Sequence, residues 1–247
     1  MQNAKATIGW DVESLKPYVT RCEDKDERQL QAAAGQWLEA SARNRIDYET
    51  EWFGVPVIQT AEDIVLMQEL IFKVQPDYIV ETGIAHGGSL IFHASMFEVL
   101  DRGEVIGVDI EIRPHNRRVL QSHPLYKRIR MIEGDSTSED VVASIVDIIG
   151  RDASTIVCLD SNHYRQHVLK ELRLYSRFVK PGGYMVVFDT VTSNLAEQGA
   201  CDKSYIANGP MEAIKDFLGE NDDFVIDKAF NKLWTSTSRD GYLRRVK

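Results

Sequence analysis

The sequence is poor in cysteine and has no long apolar run, and both features limit the classes of protein to which it can belong. Its three cysteines, Cys22, Cys158 and Cys201, are odd in number and widely spaced, so they match neither a disulfide framework nor a set of metal ligands. We therefore expect reduced thiols and a cytoplasmic location. No apolar run approaches the roughly 18 residues that a membrane span needs, and the first residues contain no apolar stretch typical of a secretion signal.

Positive charge is also in deficit. The chain has 29 Lys and Arg residues against 38 Asp and Glu residues, which gives a formal net charge of −9. Proteins that bind nucleic acid need clustered basic side chains to contact phosphates, so we expect no nucleic-acid partner and no membrane partner. With 43% hydrophobic residues in a chain of 247, there is enough apolar material for one large folded domain.

The first 50 residues differ from the rest of the chain because they are polar and rich in charge. Within them, the apolar residues Leu30, Ala33, Ala34, Trp37 and Leu38 recur at helical spacing. We predict an N-terminal helical segment over residues 1–50, which packs on the core or on a partner subunit, and one domain over residues 51–247.

From residue 61 onward, helical and strand patterns alternate. Apolar residues at helical spacing predict a helix that begins near Ala61 and stops before Pro76, and a short apolar run at 78–81 predicts a strand. Further strands are predicted at 105–110, 128–133, 155–160, 184–189, 223–227 and 232–237, and further helices at about 88–101, 139–150, 164–179 and 210–219. Continuous apolar strands separated by helices predict an α/β fold, a doubly wound and mostly parallel sheet of Rossmann-like type with helices on both faces.

A glycine-rich turn joins the first strand of this sheet to the helix that follows. Doubly wound folds bind nucleotides at this turn, because glycine lets the backbone approach a ligand and the helix N-terminus offers unpaired N–H groups. Gly83 is followed by Gly87 and Gly88, so the dinucleotide fingerprint G-x-G-x-x-G is absent. The acidic Glu81, just ahead of the turn, suits a donor with a positively charged amino-acid moiety. The predicted ligand-binding residues of this turn are Glu81, Gly83, Gly87, Gly88 and Ser89; a tight turn without a ligand is the alternative.

Three more strands of the predicted sheet end in acidic residues at the same edge. Asp109 ends the second strand, Asp135 and Ser136 follow the third, and Asp160 follows the fourth. The Asp109 carboxylate can accept two hydrogen bonds from a ribose diol, and Asp135 and Ser136 lie where an adenine amino group can be met. Asp135 or Ser136 is also a candidate cap for the next helix. Capping alone does not explain acidic residues at four successive strand ends, so we predict a ligand site there.

Several motifs together resemble a known family. They are Val80-Glu81-Thr82-Gly83, Gly87-Gly88-Ser89, Gly107-Val108-Asp109-Ile110, Arg113-Pro114-His115-Asn116, Leu159-Asp160-Ser161-Asn162-His163 and Gly241-Tyr242-Leu243-Arg244-Arg245. Over residues 50–247 the chain resembles the cephalosporin hydroxylase family, which includes S-adenosylmethionine (SAM)-dependent O-methyltransferases of antibiotics and sugars. The resemblance implies a class I methyltransferase fold, SAM as the methyl donor, a small-molecule acceptor such as a sugar, glycoside or antibiotic precursor, and a homo-oligomer.

The resemblance also implies roles for individual residues. In macrolide-sugar methyltransferases of this type the histidine of the Asp-Ser-Asn-His motif is the general base, which here is His163, with Asp160 as its catalytic neighbour. The family often binds Mg²⁺ through the aspartate of that motif, here Asp160, and an acidic pair after the next strand. Here the second residue of that pair is Asp189, but Phe188 stands where a glutamate is usual. The resemblance therefore implies a metal site with one ligand fewer.

Two other functions remain open at the level of the sequence. A non-catalytic SAM-binding or assembly protein is favoured by Phe188 and opposed by the presence of Asp160 and His163. A nicotinamide-dependent oxidoreductase is opposed by the missing dinucleotide fingerprint. A hydroxylase with non-haem iron would need two histidines and a carboxylate as ligands, and the sequence contains no evident set of that kind.

Overall fold

The computed structural model describes residues 24–150 and 152–247. Within these residues the chain forms eight α-helices and nine strands. In chain order they are α1 (Glu27–Asn44), β1 (Glu51–Trp52), β2 (Val55–Pro56), α2 (Ala61–Val74), β3 (Tyr78–Thr82), α3 (Gly88–Leu100), β4 (Glu104–Asp109), α4 (Pro114–Ser122), β5 (Ile129–Glu133), α5 (Glu139–Ile149), β6 (Thr155–Leu159), α6 (Arg165–Tyr175), β7 (Tyr184–Val187), α7 (Thr192–Glu197), α8 (Pro210–Glu220), β8 (Phe224–Ile226) and β9 (Tyr242–Arg245).

Seven of these strands form one sheet in the order β5-β4-β3-β6-β7-β9-β8. The five neighbouring strands β5, β4, β3, β6 and β7 are parallel, and β9 is antiparallel to both of its neighbours, β7 and β8. The predicted doubly wound, mostly parallel α/β sheet is therefore confirmed. Strand order reverses between β3 and β6, because the chain moves outward from β3 to β5 before it returns to β6. Ligands bind outside the carboxyl ends of the strands at such a reversal.

Apolar side chains of the central strands pack on both faces of the sheet. In β3, Ile79 belongs to the core under α2 and α3, whereas Val80 belongs to the core under α5, α6 and α8. Ile156 and Val157 in β6 alternate in the same way. Because both faces are covered, these strands are continuous apolar runs rather than alternating ones. None of the described helices is both long and apolar enough to cross a membrane.

The helix predicted in the N-terminal segment is present as α1. It begins after Asp26, whose side chain accepts a hydrogen bond from the Gln29 N–H at 3.0 Å. Only part of the predicted apolar face is buried: Ala34 and Leu38 are in the core, whereas Trp37 is 50% exposed. Helix α1 packs on α7, and Arg43 near its end donates to two carbonyls just after α7. Residues 1–23 of the predicted segment lie outside the described residues.

The last strand is not where the sequence pattern predicts it. The prediction of a strand at 232–237 is wrong: Lys232 ends a short 3₁₀ helix, residues 233–237 form a loop, and the sheet is completed by β9 instead. The loop is irregular because its side chains and backbone bond to α2 rather than to a strand. Thr237 donates to the buried Asp63 carboxylate from both its N–H, at 3.0 Å, and its hydroxyl, at 2.9 Å.

Two helices were not predicted, and two predicted elements are shorter than expected. Helix α4 is polar, and only Asn116 and Leu120 are buried in it; helix α7 has six residues. Helix α6 ends at Tyr175 rather than at 179, and β7 ends at Val187 rather than at 189. The early end of β7 places Asp189 in a loop at the ligand edge of the sheet.

Candidate active site

The loops that follow β3 and β6 lie side by side at the reversal of strand order. The Asp160 N–H donates to the Thr82 carbonyl at 2.9 Å, so the two loops begin in contact. Gly83 has φ of +92°, and a Cβ atom there would lie 2.2 Å from the Asp160 carbonyl oxygen. Only glycine fits both that backbone conformation and that contact. Gly83 therefore allows the glycine turn and the Asp160 loop to share one cleft.

Glu81 is fully buried behind the glycine turn and does not line the cleft. The Ser89 hydroxyl donates to its Oε1 atom, and its Oε2 atom lies 2.9 Å from Nε2 of the buried His93. Ser89 does line the cleft. Glu81 therefore holds Ser89 in place, one side chain away from the cavity.

Asp109, which ends β4, holds the glycine turn from the opposite side. Its Oδ2 atom accepts from the N–H groups of Ile84, at 2.7 Å, and Ala85, at 3.2 Å. Its Oδ1 atom accepts from the Glu111 N–H at 3.1 Å. Each carboxylate oxygen has two lone pairs, so Asp109 retains acceptor capacity toward the cavity that it lines. Its first role in the structure is to fix the turn.

Two adjoining cavities occupy the cleft. The first, which we call the loop cavity, has a volume of about 210 Å³ and is lined by the glycine turn together with Gln59, Asp160 and Asp189. The second, the strand-end cavity, has a volume of about 390 Å³ and is lined by Asp109, Asp135 and Ser136, among others. Gly83, Ser161 and His163 line both cavities. With the exception of Glu81, the predicted site residues lie around these two connected cavities.

A buried carboxylate lies behind the wall of the strand-end cavity. Glu171 of α6 is fully buried, and its Oε1 atom accepts from the hydroxyls of Ser136, at 2.6 Å, and Ser161, at 2.7 Å. The hydrogen bond that His167 donates to Glu171 raises the pKa of His167, which lines the same cavity. Glu171 therefore ties the loops after β5 and β6 to one helix.

The cap of α5 is not one of the residues that the sequence indicates. Ser138 caps this helix by accepting from the Val141 N–H at 3.3 Å. The Asp135 carboxylate instead accepts from the N–H and the hydroxyl of Thr137, both at 2.8 Å. These hydrogen bonds hold the pKa of Asp135 below its usual range. Neither Asp135 nor Ser136 is needed for capping.

The candidate catalytic residues converge in the loop cavity. Asp160 follows β6, and Asp189 follows β7 with φ of +55°, a conformation that is uncommon for a non-glycine residue. Nε2 of His163 lies 3.3 Å from Oδ2 of Asp189. One ligand atom from each of Asp160, His163 and Asp189 lies within 4.8 Å of the other two. The structure thus brings the three residues together although they come from two separate loops.

The arrangement concentrates negative charge. Burial raises the pKa of Asp160 well above its usual range, and the nearby carboxylates of Asp189 and Glu81 raise it further. Nε2 of Gln59 donates a hydrogen bond to Oδ2 of Asp160 at 3.4 Å, and this bond acts to lower the pKa of Asp160. Carboxylates held this close repel one another, and a divalent cation would relieve that repulsion. The oxygen donors of Asp160 and Asp189 therefore fit a cation such as Mg²⁺.

Phe188 contributes no ligand atom. Its side chain is 1% exposed and belongs to the core under α2 and α3. Phe188 therefore stabilises the sheet by burying apolar surface. Within residues 24–150 and 152–247, the possible ligand atoms of this cluster come from Asp160, His163 and Asp189.

A third cavity opens on the far side of His163 and Asp189. This outer cavity has a volume of about 360 Å³ and lies between the end of α1, α7 and the loop that follows α7. Its wall is mixed: Leu38 and Leu195 are apolar, whereas Thr192, Thr237 and Asp202 offer hydroxyls and a carboxylate. His163 and Asp189 line the outer cavity as well as the loop cavity, so these two side chains are part of the wall of both.

Residues 44–246 match the family model described as Rhamnosyl O-methyltransferase/CmcI. The chain belongs to this family. The resemblance identified from the sequence motifs is thereby confirmed, and so is the predicted enzyme class, a SAM-dependent O-methyltransferase.

Individual members of the Rhamnosyl O-methyltransferase/CmcI family agree with this assignment. The rhamnosyl O-methyltransferase of Mycobacterium leprae (strain TN) is 28% identical over 200 residues, which are 79% of this chain and 83% of that protein. Among solved structures, CmcI with Mg and SAM shares 15% identity and a TM-score of 0.56 over 96% of this chain and 85% of that one. A putative caffeoyl-CoA O-methyltransferase from Staphylococcus aureus shares 16% identity and a TM-score of 0.54 over 82% of this chain and 92% of that one. At these identities the two structures support the fold alone.

Three residues of this family member's site were not identified from the sequence. Gln59 precedes α2 and is far from Asp160 along the chain, so no motif connects them. His167 and Glu171 are four residues apart on a helix, and this spacing places two side chains on one face. The spacing could have indicated that His167 and Glu171 lie close together. The contacts of Glu171 with Ser136 and Ser161, however, can be identified only in the folded structure.

Proposed function

We propose that this protein transfers the methyl group of SAM to a hydroxyl of a sugar or a sugar-bearing secondary metabolite, with His163 as the general base. The observation that carries the proposal is the position of His163, which lines all three cavities. A base must lie within hydrogen-bond reach of the hydroxyl that it deprotonates, beside the point where donor and acceptor meet.

The loop cavity and the strand-end cavity together suit the donor. Asp109, Asp135 and Ser136 line the strand-end cavity, where the ribose and adenine of SAM would find hydroxyl and carboxylate partners. Gly87, Gly88 and Ser89 begin α3 beside the loop cavity, where the methionine part of SAM would meet backbone N–H groups of the helix N-terminus. The match to the Rhamnosyl O-methyltransferase/CmcI family supports SAM as the donor.

The outer cavity suits the acceptor. Its hydroxyl and carboxylate groups match the hydroxyls of a sugar ring, and its apolar side chains would contact a less polar part of the molecule. The curated relatives act, by their name, as rhamnosyl O-methyltransferases, which favours a rhamnosyl or related glycosyl acceptor. The acceptor hydroxyl would then face the methyl carbon in line with the S–C bond, so that the O–C bond forms as the S–C bond breaks and S-adenosylhomocysteine leaves, with His163 beside the acceptor oxygen.

His163 would accept the proton that the acceptor hydroxyl loses. Nε2 of His163 lies 3.3 Å from Oδ2 of Asp189, so a proton on Nε2 would face that carboxylate and Nδ1 would be the nitrogen left to take the proton of the acceptor. Asp189 would then stabilise the imidazolium that forms, because an opposite charge close by favours the charged form. An imidazole is suited to this task because its neutral form has a nitrogen lone pair that accepts a proton.

Asp160 and Asp189 would hold a divalent cation, such as Mg²⁺, beside the acceptor. Such an ion, when bound, lowers the pKa of a hydroxyl and orients it. Gln59, through its contact with Asp160 at 3.4 Å, would keep that carboxylate directed toward the ion. This part of the proposal rests on the oxygen donors themselves and on the raised pKa of Asp160.

We also propose that the protein is a homo-oligomer, with an N-terminal segment, residues 1–50, that precedes the catalytic domain at 51–247. The family match begins at residue 44, close to that boundary. Leu30 and Trp37 of α1 are 42% and 50% exposed, and such side chains suit a subunit contact. Light scattering on the purified protein would detect an oligomer; a monomer at micromolar concentration would contradict this proposal.

A methyl-transfer screen tests the proposed activity. The protein is incubated with isotopically labelled SAM and rhamnosides, other glycosides, nucleotide sugars or phenolic metabolites, and labelled product is identified by mass spectrometry. We expect label on a glycosyl hydroxyl and turnover that requires His163. Label on phenols alone would contradict the sugar acceptor, and SAM binding without product in any class would favour a non-catalytic SAM-binding protein instead.

A further inference from the structure

The cluster of Asp160, His163 and Asp189 contains a nitrogen donor as well as oxygen donors. Nε2 of His163 and Oδ2 of Asp189 are 3.3 Å apart. Two ligands about 2.0–2.2 Å from one Zn²⁺ ion at tetrahedral angles are separated by roughly 3.3–3.6 Å. The distance between these two atoms therefore already fits two ligands of one ion.

The third ligand is within reach of the same ion. An atom from each of the three residues lies within 4.8 Å of the other two, and all three side chains are partly exposed to the cavity. Small changes in side-chain torsions would bring the Asp160 oxygen onto an ion held by the other two. The cluster thus resembles an open site with three protein ligands and free positions for water.

Gln59 gives a second, independent indication of a ligand here. It is 5% exposed and lines the loop cavity, and its Oε1 atom is buried with no hydrogen-bond partner among the residues that the structure describes. Its Nε2 atom lies 3.4 Å from Asp160. Buried amide oxygens are nearly always paired, so this atom suits a hydrogen bond from a molecule bound at the cluster, such as water on a metal ion.

The donor set discriminates between cations. Mg²⁺ prefers oxygen ligands in an octahedral arrangement and keeps several waters. Zn²⁺ and Co²⁺ bind imidazole well, and three ligands from His, Asp and Glu suit zinc. Phe188, buried in the core, adds no oxygen that would favour Mg²⁺. A site of two carboxylates and one imidazole therefore favours the late transition metals.

We propose that Asp160, His163 and Asp189 form a three-ligand site for Zn²⁺ or Co²⁺, and that occupation of this site by such an ion inhibits methyl transfer. Mg²⁺ uses the two carboxylates and leaves the imidazole free, whereas Zn²⁺ takes the imidazole as a ligand and removes the group that accepts the proton. The inhibition rests on the proposed function of His163; the binding does not.

Metal binding is measured first, without acceptor or SAM, on tag-free protein freed of metal by chelation and dialysis. Co²⁺ is titrated while its visible absorption is recorded, and Zn²⁺ affinity is measured by competition with a chromophoric chelator. The variants are His163→Ala, Asp189→Asn and, as a matched control, His115→Ala, since His115 is exposed on α4. Melting curves in the presence of chelator establish that each variant is folded.

Wild-type protein and His115→Ala should bind Zn²⁺ more tightly than Mg²⁺ and give the absorption of Co²⁺ with a nitrogen ligand. His163→Ala should lose more Zn²⁺ affinity than the roughly 10–100-fold that loss of an outer-shell partner costs, with Mg²⁺ affinity unchanged. Equal Zn²⁺ affinity in wild type and folded His163→Ala would overturn the site, as would wild-type protein that binds Zn²⁺ no more tightly than Mg²⁺.

The inhibition is measured separately with the methyl-transfer assay. Saturating Zn²⁺ should abolish turnover supported by Mg²⁺, and a chelator followed by Mg²⁺ should restore it. Undiminished turnover at a Zn²⁺ concentration that saturates the site would overturn the inhibition. Metal binding is measured without turnover. If the proposed methyl transfer is wrong, Zn²⁺ binding that depends on His163 is still observed, whereas if the metal site is wrong, that binding is absent.

Discussion

Glu171 is a buried carboxylate behind the strand-end cavity, and its replacement by glutamine should loosen that wall without changing any side chain that lines it. The Oε1 atom accepts from Ser136 and Ser161 at 2.6 and 2.7 Å, and the side chain is fully buried. A hydrogen bond to a charged group contributes about 1.5–3 kcal/mol and a neutral one about 0.5–1.5 kcal/mol. Two such bonds, each weakened by about 1 kcal/mol, lower the free energy of unfolding by about 2 kcal/mol.

A loss of that size should lower the melting temperature by about 4–8 °C in a chain of this length. Asp147→Asn is the matched control, because Asp147 is exposed on α5 and undergoes the same change from carboxylate to amide. Its melting temperature should stay within about 1–2 °C of wild type, since exposed substitutions usually cost within 0.5 kcal/mol. SAM affinity should fall in Glu171→Gln and remain unchanged in the control, because Ser136 and Ser161 line the donor cavities.

The same substitution has a pH signature. The hydrogen bond with Glu171 raises the pKa of His167 above its ordinary value of 6.5. A group with a raised folded-state pKa contributes stability that is complete below its unfolded pKa and is lost as pH rises through the folded pKa. The stability difference between wild type and Glu171→Gln should therefore be larger at pH 6 than at pH 8. Proton NMR should also show a lower His167 pKa in the variant. A Glu171→Gln protein with the melting temperature and the His167 pKa of wild type would refute this reasoning.

Three other predictions concern the donor turn and the metal. Asp109→Ala should weaken SAM binding by about 1–3 kcal/mol, because it removes the acceptor for two N–H groups of the turn; calorimetry with unchanged SAM affinity would contradict this. Gly83→Ala should fold poorly or melt far below wild type, since its Cβ would lie 2.2 Å from the Asp160 carbonyl at φ of +92°; a melting temperature equal to wild type would contradict the described contact. Removal of divalent ions should reduce turnover and Mg²⁺ or Mn²⁺ should restore it; turnover that survives chelation would show that Asp160 and Asp189 act without an ion.

The fold was predictable because its strands are continuous apolar runs. Both faces of β3 and β6 are buried, as Ile79 and Val80 illustrate, so these runs are recognisable without knowledge of their neighbours. The position of the site followed from the same pattern, since acidic residues after parallel strands meet at one edge of the sheet. Asp160 was found in this way, whereas the roles of Asp189 and His163 were implied by the resemblance to the family.

The rest depends on contacts between residues that are distant in the sequence. Helix α4 was missed because it buries only Asn116 and Leu120, which is too weak an apolar pattern to predict a helix. The loop at 233–237 was mistaken for a strand because its polar partner, Asp63, lies in α2. The orientation of Glu81 away from the cavity depends on its buried partner His93. Local sequence patterns contain no information about such pairs.

The role of His163 is tested most directly by the dependence of kcat on pH in wild-type protein and in His163→Ala, at saturating SAM and with a glycosyl acceptor. A general base contributes about 10²–10⁴-fold to the rate, so kcat should fall by about that factor in the variant, while SAM affinity and melting temperature change little. The wild-type kcat should rise with pH, because only the neutral imidazole accepts a proton, and this rise should be absent in His163→Ala. A folded variant that binds SAM and retains wild-type kcat, or one that keeps the same rise with pH, would contradict the account.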